Sequence, residues 1–445
     1  MNQFNLLKTG RFAPLFVTQF LGALNDNIFK NALVILIAFS LADQTTVNSS
    51  ILVIIAAGLF ILPFFLFSAI AGQLADKFEK SMLIRRIKIA EICIMMLATA
   101  GFLSANVYML MAVLFLMGTQ STLFGPLKYG ILPQHLDESE LTGGNGLIQM
   151  GTYLAILLGT IVGGILIAMK PGGVWYVSLV VLLVATTGWL ASRGIPQARP
   201  ADAVLSIHWN IFRETVRILA YARDNRTVFW SIIAISWFWF YGATFLSLIP
   251  TYTRDVLRGN EHVTTILLTA FSVGIGTGSL LCEKFSRRTI EVGLVPLGAA
   301  GLSLFAFDLF YVGMPVVAID PETSVLSAAL FLEQPVNWRV LADLTLIGFF
   351  GGLYIVPLYA LVQNRSEPSR RSRIIAANNI LNALFMVVSA LLTIGLISMN
   401  VSITEIFLAV AILNVCVALL VCTLLPEFYH HALSLLAGKK PGKTG

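Results

Sequence analysis

Charge is scarce in this 445-residue chain: Asp, Glu, Lys and Arg make up 12% of it, about half the share found in soluble globular domains. Histidine occurs five times and cysteine four times. Cys93, Cys282, Cys416 and Cys422 stand singly in apolar runs, with no Cys-x-x-Cys and no Cys/His cluster. The spacing therefore supports neither a disulfide framework nor a metal centre. No nucleophile stands beside a histidine in the apolar segments, so no catalytic residue is assigned and no enzyme is expected. A phosphate-binding GxxxxGK(S/T) loop is also missing. Gly438-Lys-Lys-Pro-Gly-Lys-Thr-Gly445 imitates its end without the strand before it or the helix after it. ATP hydrolysis and a bound cofactor are not expected.

What the chain has instead is apolar length: 57% of residues are hydrophobic and the mean hydropathy is +0.84. A membrane span needs about 20 predominantly apolar residues. Twelve such segments are present, at 14–42, 50–75, 82–104, 107–132, 141–169, 174–194, 227–252, 262–282, 289–313, 339–363, 374–399 and 402–425. The fold class expected is an all-α membrane protein. The first span holds Asn25, Asp26, Asn27, Lys30 and Asn31, too polar for a signal-peptide core, so the amino terminus is expected to remain attached.

Basic residues set the orientation. With the amino terminus in the cytosol, 24 of the 29 Lys and Arg fall on the cytosolic side. Four (Lys170, Arg254, Arg258 and Arg339) fall outside, and Lys30 lies within a span. This division obeys the positive-inside rule with both termini cytosolic. The net charge of +6 then reflects topology and anionic lipid rather than nucleic acid.

Internal repetition is visible. Gly72-Gln-Leu-Ala-Asp76-Lys77-Phe78 ends the second span, and Gly278-Ser-Leu-Leu-Cys-Glu283-Lys284-Phe285 ends the eighth, 206 residues later. Gly143-Gly144-Asn145-Gly146-Leu147-Ile148-Gln149 in the fifth span is matched by Ala376-Ala377-Asn378-Asn379-Ile380-Leu381-Asn382 in the eleventh, 233 residues later. The 27-residue difference is assigned to an external insertion at 314–338. The expected organisation is a six-helix half at 1–194, a cytosolic linker at 195–226, a second half at 227–425 and a cytosolic tail at 426–445. Within the linker, Leu205, Phe212, Val216 and Leu219 with Arg213 and Arg217 predict an amphipathic helix over 204–222. It reads either as a spacer or as a gating and docking element.

Several polar residues fall inside spans. Gln19, Ala23, Asp26 and Lys30 share one helix face within roughly 60°. An intramembrane charge costs about 2.5–3.5 kcal/mol unless paired or hydrated, so that face must look into the bundle. Asp26 four residues before Lys30 is the favourable order for an ion pair. Asn27 and Asn31 flank the face. Asn145 with Gln149, and Asn378 with Asn382, place paired amides four apart on the fifth and eleventh spans. Lys88 with Glu91, and Arg339 with Asp343, read as structural pairs one turn apart. Gly151, Gly159, Gly163 and Gly164 predict close helix approach by the fifth span.

The Gly72–Lys77 segment resembles the loop signature of the major facilitator superfamily between its second and third spans, although Glu79 stands where a second glycine is usual. That resemblance implies two six-helix halves, with a latch role for Asp76, Lys77, Arg85, Glu283 and Lys284. Asp76 would pair with Arg85 or Arg86. Phe20-Leu-Gly-Ala-Leu-Asn-Asp26-Asn27, Gly125-Pro126-Leu127-Lys128-Tyr129-Gly130-Ile131-Leu132, Asn145-Gly146-Leu147, Tyr354-Ile-Val-Pro357-Leu-Tyr-Ala and Ala376–Asn382 further resemble the lysophospholipid transporter family, over residues 12–425. Members of that family flip lysophospholipid, chiefly lysophosphatidylethanolamine, from the outer to the inner leaflet of the bacterial inner membrane. An acyl-ACP-dependent acyltransferase/synthetase, fused or separate, re-acylates it there. The chain is then free-standing or the amino-terminal part of such a fusion.

On this resemblance the expected substrate-binding residues are Asp26, Lys30, Gln19, Asn27, Lys128, Asn145, Gln149, Asn378 and Asn382. Asp26 and Lys30 would complement a zwitterionic headgroup, the amides would serve its phosphate and glycerol, and Lys128 would be either a snorkelling anchor or a phosphodiester ligand. For each, a structural reading stands beside the functional one: an ion pair for Asp26 and Lys30, helix–helix hydrogen bonds for the amides. Two other functions stay open, an exporter of small amphiphilic drugs or metabolites and a non-transporting membrane anchor for an acyltransferase. Gly163 is followed by Gly164 rather than proline, which speaks against a drug/proton antiporter.

Overall fold

A computed structural model of the chain describes residues 3–39, 49–312 and 326–437. Its helices are α1 (Ala13–Phe39), α2 (Ser49–Lys77), α3 (Lys80–Leu103), α4 (Val107–His135), α5 (Glu138–Ala168), α6 (Gly173–Ser192) and α7 (Ile211–Asp224). They continue with α8 (Arg226–Asp255), α9 (Glu261–Phe285), α10 (Leu294–Val312), α11 (Ala328–Glu333), α12 (Pro335–Arg365), α13 (Arg371–Ser398), α14 (Ile403–Leu424) and α15 (Pro426–Leu436). Among the described residues there is no strand, and an isolated bridge joins Gly259 to Leu326.

Among the described residues, eleven helices are long and apolar enough to cross a membrane. The third span of the sequence reading, α3, is 24 residues long but carries Lys80, Arg85, Arg86, Lys88 and Glu91. Three of these charges, Lys80, Lys88 and Glu91, are buried within the protein, while Ile89, Met96, Leu97 and Leu103 are exposed. Part of the charge of this helix is thus turned into the protein while several apolar residues face outward, which a linear hydropathy window cannot register. The chain is an all-α, multi-pass membrane protein.

Helix ends follow local chemistry. Asn106 accepts from Met109 N at 3.0 Å to start α4, and Ser402 with Glu405 forms a capping box on α14. The linker helix departs from expectation. Asn210 accepts from Arg213 N at 3.0 Å and starts α7 at Ile211, so residues 204–210 are not helical. Part of the expected insertion at 314–338 lies outside the described residues, as do Lys439, Lys440 and Lys443. The rest of that insertion holds α11, capped by Ser327.

By internal contacts the chain forms two compact units. The first comprises Met1–Gly144, Gly151–Arg226 and Gln363–Ala383, and the second Asn145–Met150, Thr227–Val362 and Leu384–Gly445. In the first, Ile28, Phe29 and Leu33 of α1 pack with Met95 and Phe102 of α3, Leu110 and Leu114 of α4, and Val177 and Val181 of α6. Glycines of α5 bring it against α1: a Cβ on Gly159 would stand 2.7 Å from Leu24 O, and one on Gly163 3.1 Å from Ile28 Cα. This is the close approach expected of them. In the second unit, Gly274 and Gly278 of α9 face Thr345 and Phe349 of α12, and Gly348 and Gly352 of α12 face back onto Phe271, Ile275 and Ser279. Its core includes a stack of Tyr241 on Phe245 (4.6 Å between ring centroids) and Phe245 on Phe407 (4.5 Å).

Candidate functional site

A polar network links α1, α3 and α4 in the first unit. Lys88 Nζ donates to Glu91 Oε2 at 2.6 Å, with side chains 1% and 3% exposed. Gln120 Nε2 also donates to Oε2 at 2.9 Å, and Asn25 Nδ2 to Oε1 at 3.1 Å. The ammonium lies 5.1 Å from the centroid of the Phe124 ring and against Gly22, where a Cβ would collide with Nζ. Lys88 and Glu91 thus form the structural pair expected of them. Three donors satisfy the carboxylate, which is what lets a buried ion pair be tolerated.

Asp26 stands at the open end of this network. Ser121 Oγ donates to its Oδ2 at 2.7 Å and lies 3.3 Å from Gln120 Oε1. The expected Asp26–Lys30 ion pair is not formed among the described residues. Lys30 Nζ sits over the Phe60 ring of α2, 4.4 Å from its centroid, and Lys128 Nζ sits over Tyr129 at 4.5 Å. The physical reason is that the Ser121 hydroxyl and the Phe60 face offer each charge a partner on a neighbouring helix. Asp26, Lys30 and Lys128 are all half-buried, and Lys128 lies within electrostatic reach of Asp26 and Lys88. One carboxylate and two ammonium groups thus keep bonding capacity on α1 and α4, beside a fully buried pair whose carboxylate already takes three donors.

The other predicted site residues are distributed as follows. Gln19 is buried and accepts from Thr152 Oγ1 of α5 at 3.1 Å. Asn27 Nδ2 donates to Ala23 O at 2.7 Å within α1, and Asn31 Nδ2 to Thr160 O of α5 at 2.6 Å. Asn145 and Gln149 are buried and belong to the second unit, while Asn378 and Asn382 are buried in the first.

The α2–α3 turn carries a second cluster. Asp76, fully buried, accepts from Ser372 N at 3.0 Å, Arg373 N at 3.3 Å and Arg373 Nε at 2.9 Å. Its partner is therefore Arg373 rather than Arg85 or Arg86. The carboxylate serves two orphan amides of the first turn of α13 as well as the guanidinium. Arg85 instead donates from Nη2 to Ile195 O at 2.9 Å and reaches Ser192 O, which ties α3 to the end of α6. Lys77 lies 5.9 Å from the Phe78 ring centroid. At the related place in the second unit, Glu283 meets Arg288 at 3.7 Å, and Arg288 follows it by one turn of chain. Arg339 likewise takes Asp308 of α10, with Nε–Oδ2 at 2.8 Å, in place of the expected Asp343. A carboxylate on the neighbouring helix accepts both guanidinium bonds.

Glu79, which occupies the usual glycine position, has a defined task. In extended conformation (φ −62°, ψ 124°) it caps α3, accepting from Ser81 N at 2.9 Å and Met82 N at 2.7 Å. Its Oε1 also takes Ala198 N at 2.7 Å. Burial works against its ionisation, but these amides and the Ser81 hydroxyl outweigh it and hold the carboxyl below the usual range.

Sequence reasoning missed the linker's grip on this turn. Ala201 N and Asp202 N both donate to Asp76 O, Gln73 exchanges two hydrogen bonds with the His208 backbone, and Asp202 lies 3.4 Å from Arg373. Tyr221 of α7 lies beneath Arg370 and Arg373 at 4.7 and 5.6 Å. Residues 198–208 wrap the signature turn and are not a plain spacer. Nothing local in the sequence announced these backbone contacts.

The comparisons agree with this architecture. The sequence model of the Major Facilitator Superfamily matches residues 15–332. A lysophospholipid transporter of Serratia proteamaculans is 28% identical over 364 residues, covering 79% of each chain. One from Escherichia coli O157:H7 is 27% identical over 374 residues, covering 80% of each. Among solved structures, the E. coli fucose:proton symporter aligns at a TM-score of 0.67 with 13% identity, over 93% of this chain and 98% of that one. A bacterial homologue of the iron transporter ferroportin, in an outward-facing state, aligns at 0.66 with 13% identity, over 94% and 99%. These structural likenesses speak to fold alone. With the family signature matched across most of its length and its fold shared with transporters of that class, the chain belongs to the Major Facilitator Superfamily.

Proposed function

We propose that this chain is a non-enzymatic secondary transporter that moves lysophospholipid, of the lysophosphatidylethanolamine type, from the outer to the inner leaflet of the bacterial inner membrane by alternating access. Both termini face the cytosol, and an acyl-ACP-dependent acyltransferase/synthetase consumes the delivered lipid. The lysophospholipid transporters at 27–28% identity support the substrate class. The observation that carries the reading is the contrast between the buried Lys88–Glu91 pair of α3 and the half-buried Asp26, Lys30 and Lys128 of α1 and α4. Asp26, with one oxygen on Ser121, suits the ammonium of a zwitterionic headgroup. Lys30 and Lys128 suit its phosphodiester. Asn378 and Asn382 of the first unit are assigned to the lipid as neutral hydrogen-bonding groups.

The test is leaflet transfer of labelled lysophosphatidylethanolamine in vesicles bearing the chain, with Asp26→Asn and Lys128→Gln alongside. Transfer by the parent and its loss in folded, inserted variants is the expected result. No transfer by the folded parent under an imposed ion gradient refutes the flippase. Transfer by the parent that both variants retain refutes the headgroup site while leaving the function.

A further inference from the structure

An apolar cavity of about 190 Å³ lies among α2, α3 and α4 of the first unit. Its walls are Ala71 and Leu74 of α2, Leu83, Ile87 and Ala90 of α3, and Leu123 and Leu127 of α4, and its one polar lining residue is Arg86. A cavity of roughly 150 Å³ accepts a benzene-sized apolar molecule, so this one takes a stretch of a single hydrocarbon chain and no more.

Arg86 makes the cavity more than a crevice filled by passing lipid tails. It is exposed, beside exposed Ile89 and Ala90 on the outer face of α3. Among the described residues it has no hydrogen bond and no ion pair, whereas its neighbour Arg85 is held by two carbonyls. Six residues past the start of α3, at 1.5 Å each, it stands about 9 Å along the helix. On α3 the lining ends at Ala90, about 15 Å along, half the thickness of a hydrocarbon core of about 30 Å. A guanidinium at that depth needs an anion or a route to the interface. No carboxylate lines the cavity. The nearby acids are engaged, Asp76 by Ser372 and Arg373 and Glu79 by Ser81, Met82 and Ala198. Nothing at the rim would therefore receive the ammonium of a zwitterionic headgroup.

We propose that this groove is a binding site for an anionic phospholipid of the inner leaflet, of the phosphatidylglycerol class, with its phosphodiester on Arg86 and one acyl chain in the α2–α3–α4 cavity. The leaflet follows from the orientation proposed above; the site itself does not depend on what the protein transports. It is separate from the Asp26 network and absorbs the arginine that the Asp76 turn leaves unused.

Native mass spectrometry of the full chain released from neutral detergent tests this, with phosphatidylglycerol and phosphatidylethanolamine of matched chains added in equal amounts. The parent is expected to retain phosphatidylglycerol several-fold over phosphatidylethanolamine. Arg86→Gln should abolish that preference. Ala90→Phe, an exposed position that fills the groove from its rim, should lower retention of both. An unchanged preference in Arg86→Gln overturns the proposal. So does displacement of phosphatidylglycerol by equimolar lysophosphatidylethanolamine, which would assign the groove to the transported lipid. Because neither readout involves transport, their failure is distinguishable from failure of the flippase reading.

Discussion

Replacing Asp76 with asparagine tests whether one buried carboxylate holds the first turn of α13 to the α2–α3 turn. The side chain keeps its shape but loses its charge and one of two acceptor oxygens. In the structure those oxygens serve Ser372 N, Arg373 N and Arg373 Nε at 3.0, 3.3 and 2.9 Å. A hydrogen bond to a charged group is worth about 1.5–3 kcal/mol, and a carboxylate at a helix N-terminus adds up to about 2 kcal/mol when partly buried. Arg373, 6% exposed, would keep Asp202 at 3.4 Å and Ser369 O at 2.7 Å, which returns part of the loss. A net cost of about 3 kcal/mol remains, two powers of ten in an opening equilibrium. Amide hydrogen exchange in lipid nanodiscs reads that constant directly. Exchange across residues 370–376 is expected to quicken by about a hundredfold in Asp76→Asn, with α14 unaffected. A change of less than about threefold at those amides would refute the reasoning, because the carboxylate would then add nothing beyond the shape that asparagine retains.

Glu91→Leu strands the Lys88 ammonium and the amides of Asn25 and Gln120, and should cost about 3–5 kcal/mol in thermal or denaturant unfolding. Adding Lys88→Met should recover most of that loss, and a double variant no better than the single would sink the account. Lys80, 1% exposed, has no hydrogen-bond partner on Nζ among the described residues, so Lys80→Met is expected to leave the melting temperature unchanged or raise it, and a clear fall would reveal a hidden partner. Glu79→Gln should destabilise by about 1 kcal/mol at neutral pH through the weakened cap. Since the folded carboxyl titrates below its usual value, that advantage of the parent is present above the unfolded value of about 4.3 and disappears as pH falls through the folded one. Unfolding at pH 7 and at pH 4 should therefore show a gap that narrows, and a gap that widens with acid would contradict the cap.

The helices were legible because apolar length announces itself: α14 is read at 402–425 and found at Ile403–Leu424. Partners were much less legible. Helical spacing proposes Asp26 with Lys30 and Arg339 with Asp343, and both proposals fail for the same reason. Spacing states which residues share a face but not which helix that face meets. Asp26 finds Ser121, and Arg339 finds Asp308 with two bonds. Lys88 and Glu91 do pair within their own helix, since Gln120 and Asn25 bring further donors to the same carboxylate rather than a competing charge. Asp76 and Arg373 are 297 positions apart, and no local pattern carries such a pairing.

The recurring motifs gain a common meaning from where they meet. A Cβ on Gly72 of α2 would stand 2.8 Å from Ala376 Cβ and 2.9 Å from Arg373 Cα; one on Gly125 of α4 would meet the Asn379 amide, and one on Gly130 would lie 2.8 Å from Ser372 Oγ. Three glycines from two signatures, far apart in sequence, thus open onto one stretch of α13 within the first unit. Pairwise they look like generic small residues, yet together they describe a seam at which α13 lies close to α2 and α4. Asp76 fastens the end of that seam, and residues 198–208 close over it. Any side chain larger than hydrogen at Gly72 would collide with backbone of α13 rather than with a movable tip. These motif glycines therefore govern how closely α13 docks, a conformational property, and Lys128, between Gly125 and Gly130 on α4, ties that seam to the helix that also carries Ser121, the partner of Asp26.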